Sequence, residues 1–426
     1  MSVSQNNIDE AIRFHQSGDL NRAGQCYRKI LKKCPDDFDA LHMLGVLNYQ
    51  KGKFDKAIVL LEKAKKQNTT AEVLTNLGTV FITKGDLNKA VDVFKHALKI
   101  NPKLALTHYN LGNTYKKLND YTKAIASYRS AIELNPNYYD ALHNIAIVYK
   151  IKDMFKEAEQ AGLKAISINP NNSESQFTLA GVLLRLGKKE AAIKAYMKTL
   201  EIDPGHTTAK HLISSLLGET TQRPPDEYIA DLFNDFAETF DDHLVNKLKY
   251  RTPKIIHDTV ISHIDTKQTY SILDLGCGTG LCGKLLTDYA DNLVGVDLSS
   301  KMIEKARQLK VYDEFNVVDI ESYFNLSSKV FDIILSADVF VYVGDLESTF
   351  KQCKNAMSEK GVFIFSVEEY KGEGYKLLDT GRYAHSIEYI RKMVDAVGFR
   401  EIECKSLVLR EQAGKPIDGC VFLLKI

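Results

Sequence analysis

Hydrophobic and polar positions follow two different rhythms along this chain, and the change falls near residue 218. In the first half, apolar and small residues recur at helical spacing inside a longer period. Pro102, Pro136, Pro170 and Pro204 are each 34 residues apart, and Ala23, Ala57, Ala90, Ala124, Ala158 and Ala192 step by 33 or 34. A small residue recurs in the same rhythm at Ala11, Gly45, Gly78, Gly112, Ala146 and Ala180. Aromatic residues keep fixed offsets from both rows: Phe14, Phe81, Tyr115 and Tyr149 from one, Tyr27, Phe94, Tyr128 and Tyr196 from the other. Each period predicts two helices. Small residues let the pair approach, aromatics fill the groove, and proline, which cannot continue a helix, closes the unit. Six such units span about residues 4–206, and 207–217 reads as a capping helix.

Residues 218–227, G-E-T-T-Q-R-P-P-D-E, break the pattern and read as a linker. An amphipathic helix is expected over 228–244, followed by another after Thr252-Pro253. From Ser271 short apolar runs alternate with helical segments. Strands are expected at 271–276, 293–298, 314–320, 331–337, 361–368, 401–410 and 417–425, with helices near 281–290, 299–309, 345–358 and 386–397. Such alternation predicts a parallel, doubly wound sheet. Only K-P-I-D separates the last two strands, too short for a parallel crossover, so they should pair antiparallel at an edge.

The first of these strands leads into S-I-L-D-L-G-C-G-T-G, residues 271–280. Strand, glycine turn and helix in that order place a ligand at the carboxyl end of the strand. A dinucleotide fingerprint has the spacing G-x-G-x-x-G, whereas Gly276, Gly278 and Gly280 stand at G-x-G-x-G. Asp274, two residues before the first glycine, disfavours a pyrophosphate and suits a ligand with a positive group. Asp297 ends the second strand, where a carboxylate accepts from ribose hydroxyls. Asp319 ends the third and can accept from an adenine amino group.

Composition narrows the picture. Among 426 residues, 44% are hydrophobic and 26% charged, as in ordinary globular chains. No apolar run reaches the roughly 18–20 residues that span a bilayer, and the amino terminus has no basic flank and apolar core of the signal-peptide kind. The seven cysteines are scattered without a C-x-x-C pair, which disfavours disulfide and zinc frameworks and leads us to expect a cytoplasmic setting and no metal. The net charge of +1 conceals +10 over residues 1–217 and −9 over 218–426. The acidic half lacks a basic surface with stacking aromatics, so neither nucleic acid nor membrane is expected as a partner.

The first half resembles a tetratricopeptide array, whose repeat has this length. Its concave face would bind a protein or peptide, with Asn76, Asn110 and Asn144 as a ladder for a peptide backbone. Lys116, Lys117, Lys150 and Arg185 lie on the same first helices and hint at an acidic segment. Residues 228–426 resemble a class I S-adenosylmethionine-dependent methyltransferase domain through D-L-G-C-G-T-G, V-G-V-D-L-S, the Asp319 segment and F-D-I-I-L-S-A-D. The expected architecture is therefore multidomain: an all-α solenoid over 1–217, a linker over 218–227, and a Rossmann-like α/β domain over 228–426. The resemblance implies a mostly parallel seven-stranded sheet with an antiparallel edge strand. It also implies that Gly276, Cys277, Gly278 and Gly280 line the methionine portion, with Asp274 ahead of them, and that Asp297 holds the ribose. Leu298, Met302 and Ile320 would flank the adenine and Asp319 its amino group. The combination of both parts also resembles a group of predicted bacterial repeat-containing methyltransferases, through F-D-D-H-L, Y-R-T-P, V-F-V-Y-V-G-D-L and G-R-Y-A-H-S.

Methyl transfer from a sulfonium chiefly needs positioning, and a base only where the acceptor must lose a proton. Asp338 and Tyr342 after the fourth strand, and His385 with Arg382 and Tyr383 in the insert after the fifth, are the candidates. Phe236 or Phe240 would lie over the cofactor. No Asn-Pro-Pro-Tyr-type segment follows the fourth strand, which argues against amino methylation of adenine or glutamine. Three functions compete: a small-molecule methyltransferase, which the lid-like G-R-Y-A-H-S region favours; a protein methyltransferase recruiting substrate through its repeats; and a scaffold without turnover.

Overall fold

A computed structural model of the chain describes residues 3–237, 240–242, 250–412 and 415–426. They form two compact units, Met1–Ile202 and Asp203–Ile426. The first is built from helix pairs: α1 (Val3–Gln16) with α2 (Leu20–Lys33), α3 (Phe38–Gln50) with α4 (Phe54–Gln67), and α5 (Ala71–Lys84) with α6 (Leu87–Ile100). They continue as α7 (Ala105–Lys117) with α8 (Tyr121–Leu134), α9 (Tyr139–Ile151) with α10 (Phe155–Ile168), and α11 (Ser173–Arg185) with α12 (Lys189–Ile202).

The two rows of small residues account for the pairing. The six periodic alanines of the second helices are all fully buried. A Cβ on Gly78 of α5 would stand 2.5 Å from the Phe94 ring of α6, and one on Gly112 of α7 would stand 2.7 Å from the Tyr128 ring of α8. The glycine is thus the space that the partner aromatic occupies, and Phe94 and Tyr128 are completely buried there.

The second unit begins with α13 (Thr207–Leu217), the helix expected to cap the repeats. Its inward face carries His211 and Ser215, which bond to the α/β unit. Next come α14 (Asp226–Phe236), α15 (Phe240–Asp242) and α16 (Thr252–Ile261). Residues 238–239 and 243–244 of the expected 228–244 helix lie outside the described residues.

Seven strands then form one sheet: β1 (Tyr270–Leu275), β2 (Ala290–Asp297), β3 (Glu314–Val317), β4 (Phe331–Ser336), β5 (Met357–Glu368), β8 (Arg400–Gln412) and β9 (Lys415–Lys425). Their order is β3-β2-β1-β4-β5-β9-β8. β1 to β5 run parallel, and β9 pairs antiparallel with both β5 and β8. The sheet is therefore mixed and mostly parallel, with an antiparallel edge. Lys415 to Asp418, expected as the turn, already belong to β9, which pairs from Gln412↔Lys415 onward.

Helices α17 (Leu281–Leu286), α18 (Ser300–Leu309), α19 (Ile320–Leu326), α20 (Glu347–Asn355) and α21 (Ile387–Val397) pack on the sheet. β3 is shorter than expected because Asp319 leaves it to cap α19, accepting from Ser322 N–H. A small antiparallel pair, β6 (Tyr375–Leu377) and β7 (Tyr383–His385), fills the insert after β5 and was not anticipated. The core is aromatic on one face of the sheet, where Phe340, Phe350, Phe363, Phe365 and Phe422 interlock. Among the described residues no helix is long and apolar enough to cross a membrane.

Candidate functional site

The turn after β1 opens the site. Gly276, Gly278 and Gly280 have φ of +70°, +54° and +91°, a region costly to residues with a Cβ. Gly276 and Cys277 N–H both donate to Val296 O, at 2.7 and 3.0 Å, which ties the turn to the end of β2. A Cβ on Gly276 would lie 2.3 Å from Val339, so glycine is also needed for the approach of the segment after β4.

Asp297 closes β2 beside this turn. One carboxylate oxygen accepts from Gly278 N–H at 2.9 Å and the other from Ser299 N–H at 2.8 Å. Burial raises its carboxyl to about 6, against the lowering effect of those two bonds. Each oxygen keeps lone-pair capacity for a further donor.

Asp274 occupies a different position. It is buried beneath the turn, 1% exposed, with one oxygen accepting from the Tyr312 hydroxyl at 2.7 Å. Burial pushes its carboxyl up to about 7; the Tyr312 bond works against this and the nearby Asp297 adds to it. Space for Tyr312 is made by Gly283, where a Cβ would stand 2.3 Å from its ring and hydroxyl.

A cavity of about 650 Å³ extends from the glycine turn, within the range of about 300–1,000 Å³ usual for small-molecule sites. Of the expected cofactor residues, Gly276, Gly278, Asp297, Leu298, Asp319 and Ile320 line it. Asp274, Cys277, Gly280 and Met302 are not among its lining residues. Met302 is completely buried in α18, and Gly280 faces Leu309 and Tyr312. Asp319 serves two ends, capping α19 while facing the cavity. Its carboxyl is held low: burial raises it, but the Ser322 hydroxyl and N–H, the nearby Arg223 and the Glu321 N–H together outweigh that. Phe240 lines the cavity beside Gly278; the Phe236 side chain lies outside the described residues.

Apolar walls and a buried ionic cluster complete the lining. Ile229, Leu232, Phe233 and Val341 line it, and Phe233 meets Tyr342 edge to face at 5.2 Å. Asp338 lies just past β4 at φ +55°, rare for a residue with a side chain. Ser366 holds it twice, its oxygen accepting from Asp338 N–H and its hydroxyl donating to the carboxylate, both at 2.8 Å. Arg410 from β8, 3% exposed, donates to the other Asp338 oxygen at 3.0 Å and also bonds Glu368. Arg382 lies 3.7 Å from Glu368, with its guanidinium 5.6 Å from the Tyr342 ring centroid.

The cavity gathers Asp338, Tyr342, Arg382 and Arg410 but not His385. His385 is fully buried; its Nε2 bonds Gly344 O at 2.9 Å, and burial lowers it to about 4. Burial thus favours the neutral imidazole, and Nε2 is already engaged by a backbone carbonyl. Arg410, Ser366, Glu368 and Tyr312 escaped the sequence reading. Gly283 was the one available signal for Tyr312.

The first unit has a separate groove of about 330 Å³, lined by Tyr49, Thr79, Asn110, Asn113, Lys116 and Asn144 among others. The asparagine ladder is internally bonded: Asn76 to His42, Asn110 to Thr79, and Asn144 to Tyr109 and Lys116. Burial lowers the Lys116 ammonium.

Comparison with known proteins matches both units. A family described as a methyltransferase domain matches residues 273–365. Tetratricopeptide-repeat families match residues 26–59, 78–119, 105–138, 127–160 and 161–194. A malonyl-(acyl-carrier protein) O-methyltransferase of Acetivibrio thermocellus is 36% identical over 24% of this chain and 37% of its own length. A ubiquinone biosynthesis O-methyltransferase of Pelagibacter ubique is 26% identical over 28% of this chain and 51% of its own. The chain thus spans about half or less of these relatives. Among solved structures, YrrB, a tetratricopeptide protein with an unusual peptide-binding site, is 21% identical over 43% of this chain and 96% of its own, with a TM-score of 0.40. The chain therefore joins tetratricopeptide repeats in its first half to a class I methyltransferase domain in its second.

Proposed function

We propose that this chain transfers a methyl group from S-adenosylmethionine to a small-molecule acceptor with an apolar body. One observation carries the reading: a single cavity is lined by Gly276, Gly278 and Asp297 together with apolar walls and with Asp338, Tyr342 and Arg382. The residues present fit the cofactor. Gly276 and Gly278 offer bare backbone, Asp297 keeps capacity for two ribose hydroxyls, and Leu298 and Ile320 flank the space that Asp319 closes. When bound, the cofactor supplies a methyl already activated on sulfur. This chain's residues then orient and exclude water. Asp338, fixed by Ser366 and Arg410, is the carboxylate placed to accept a proton from an acceptor hydroxyl. The curated relatives named above are O-methyltransferases, which favours oxygen as the acceptor atom. The groove of the repeats would take an extended protein segment from a partner.

Incubating the chain with methyl-labelled cofactor and cell extract, then separating protein from small molecules, tests this. Label is expected in the small-molecule fraction. Label confined to a protein band would overturn the acceptor class, and absence of S-adenosylhomocysteine binding by calorimetry would overturn the enzymatic reading altogether.

A further inference from the structure

We propose that Gln222, Arg223 and Pro224 form a specificity-determining wall of the acceptor cavity, and that α13 and Thr221 position Arg382 to bind an uncharged oxygen of the acceptor. The proposal deepens the reading above and rests on it. Residues 218–227 have the composition of a linker, yet they are docked along the α/β unit. The Gln222 carbonyl accepts from both Gly344 and Asp345 N–H, at 3.0 and 2.9 Å. Thr221 bonds the Tyr383 hydroxyl at 2.6 Å, and Thr220 accepts from Leu377 N–H at 3.3 Å. Gln222, Arg223 and Pro224 consequently line the cavity. Gly344 is the residue that admits them, since a Cβ there would stand 2.6 Å from the Gln222 carbonyl oxygen.

Helix α13 grips the turn that presents Arg382. Ser215 donates to Leu378 O at 2.5 Å and accepts from Gly381 N–H at 3.2 Å, while His211 Nε2 bonds Gly381 O at 3.3 Å. Both side chains are buried, His211 at 4% and Ser215 at 2% exposure. Leu378 N–H closes the turn onto Arg382 O at 2.7 Å. Gly381 has φ +77°, and a Cβ on it would stand 2.7 Å from the Tyr228 hydroxyl. The backbone on either side of Arg382 is thereby fixed, by α13 through Gly381 and by Thr221 through Tyr383, and the guanidinium itself rests beside Glu368 and the Tyr342 ring. A guanidinium held in this way needs little further ordering when it meets a ligand. The charges of the buried cluster around Arg382 already balance: Arg382 and Arg410 face Asp338 and Glu368. A carboxylate or phosphate would leave a net negative charge in a desolvated place, so a carbonyl or hydroxyl oxygen suits the site.

The test uses the full chain, comparing wild type with His211→Ala/Ser215→Ala, Gly381→Ala and Arg382→Met. S-adenosylhomocysteine affinity by calorimetry reports whether the fold and cofactor end are intact. In the double variant, amide exchange across 377–383 should rise about tenfold or more with that affinity kept within about twofold. The extract needed for half-maximal methyl transfer should rise about tenfold. Arg382→Met should raise the extract requirement alone, without changing exchange. Gly381→Ala, which leaves α13 intact, replaces the double variant if that chain fails to bind S-adenosylhomocysteine. Unchanged exchange at 377–383 overturns the positioning by α13, and an unchanged extract requirement in Arg382→Met overturns the role of Arg382. Inhibition of transfer by acetate or phosphate beyond a chloride control overturns the uncharged oxygen. If wild type labels no small molecule, the parent reading alone fails, and exchange still decides the positioning.

Discussion

Replacing Asp274 by asparagine should stabilise the methyltransferase unit at neutral and higher pH, and by an amount that grows with pH. In the fold the carboxyl is buried with one donor, the Tyr312 hydroxyl, and its pKa stands at about 7 instead of the usual 3.8, chiefly through burial. A raised folded-state pKa in an acid means that the unfolded chain gives up its proton first. Stability therefore falls as pH rises from the unfolded value and stops falling once pH passes the folded one. At about 1.4 kcal/mol per pH unit, the cost of holding Asp274 ionised above pH 7 is about 4 kcal/mol. Asparagine has the same shape, keeps an acceptor for Tyr312 and carries no charge. Its advantage should be below about 1 kcal/mol at pH 4, about 2 kcal/mol at pH 5 and about 4 kcal/mol by pH 8, with other titrating groups cancelling in the difference. Because the chain has two units, the relevant urea transition is the one that S-adenosylhomocysteine shifts. Unfolding both proteins at pH 5 and pH 8 gives the comparison. A difference that does not change between the two pH values, or a variant less stable at pH 8, would show that Asp274 is ionised and specifically held. The reasoning from burial would then be wrong.

Asp297→Ala should weaken S-adenosylhomocysteine binding by roughly 1.5–3 kcal/mol, the scale of hydrogen bonds to a charged group, read as Kd by calorimetry. For the wild type, binding should weaken as pH falls through about 6, where the Asp297 carboxyl takes up its proton and loses acceptor capacity. Arg410→Met leaves Asp338 and Glu368 facing each other without their shared cation, and should cost about 3–5 kcal/mol in the ligand-sensitive transition; adding Glu368→Gln should recover part of it. Gly78→Ala forces the Phe94 ring aside and should cost about 1–3 kcal/mol, this time in the transition that S-adenosylhomocysteine does not shift.

What could be read from the sequence was whatever repeats or is local in the chain. The repeat period was visible because a small residue and an aromatic sit a fixed 16 residues apart in four of the six units, as in Gly78 with Phe94 and Gly112 with Tyr128, so one contact is written several times. The glycine turn and Asp297 were visible because a strand end, a turn and the next strand end lie close together in sequence. The acceptor end has neither property. Asp338, Glu368 and Arg410 come from the ends or middles of β4, β5 and β8, and only the insertion of β9 between β5 and β8 determines how Arg410 approaches. Nothing local marks that arginine, since its partners lie 72 and 42 residues away. The same reason explains His385. A histidine flanked by Arg382, Tyr383 and Ser386 has the composition of a catalytic loop. Its burial against Gly344 depends on a two-stranded pair closed by Tyr375↔His385, which no period announces. Residues 218–225 invert the lesson. Their polar, proline-rich composition correctly excludes regular structure, but lacking helix or strand is not the same as lacking a place. Their carbonyls and hydroxyls are taken up by Gly344, Asp345, Leu377 and Tyr383 instead of by water. The acceptor cavity consequently has a wall in the stretch that composition alone would discard, and that is where substrate specificity should be sought.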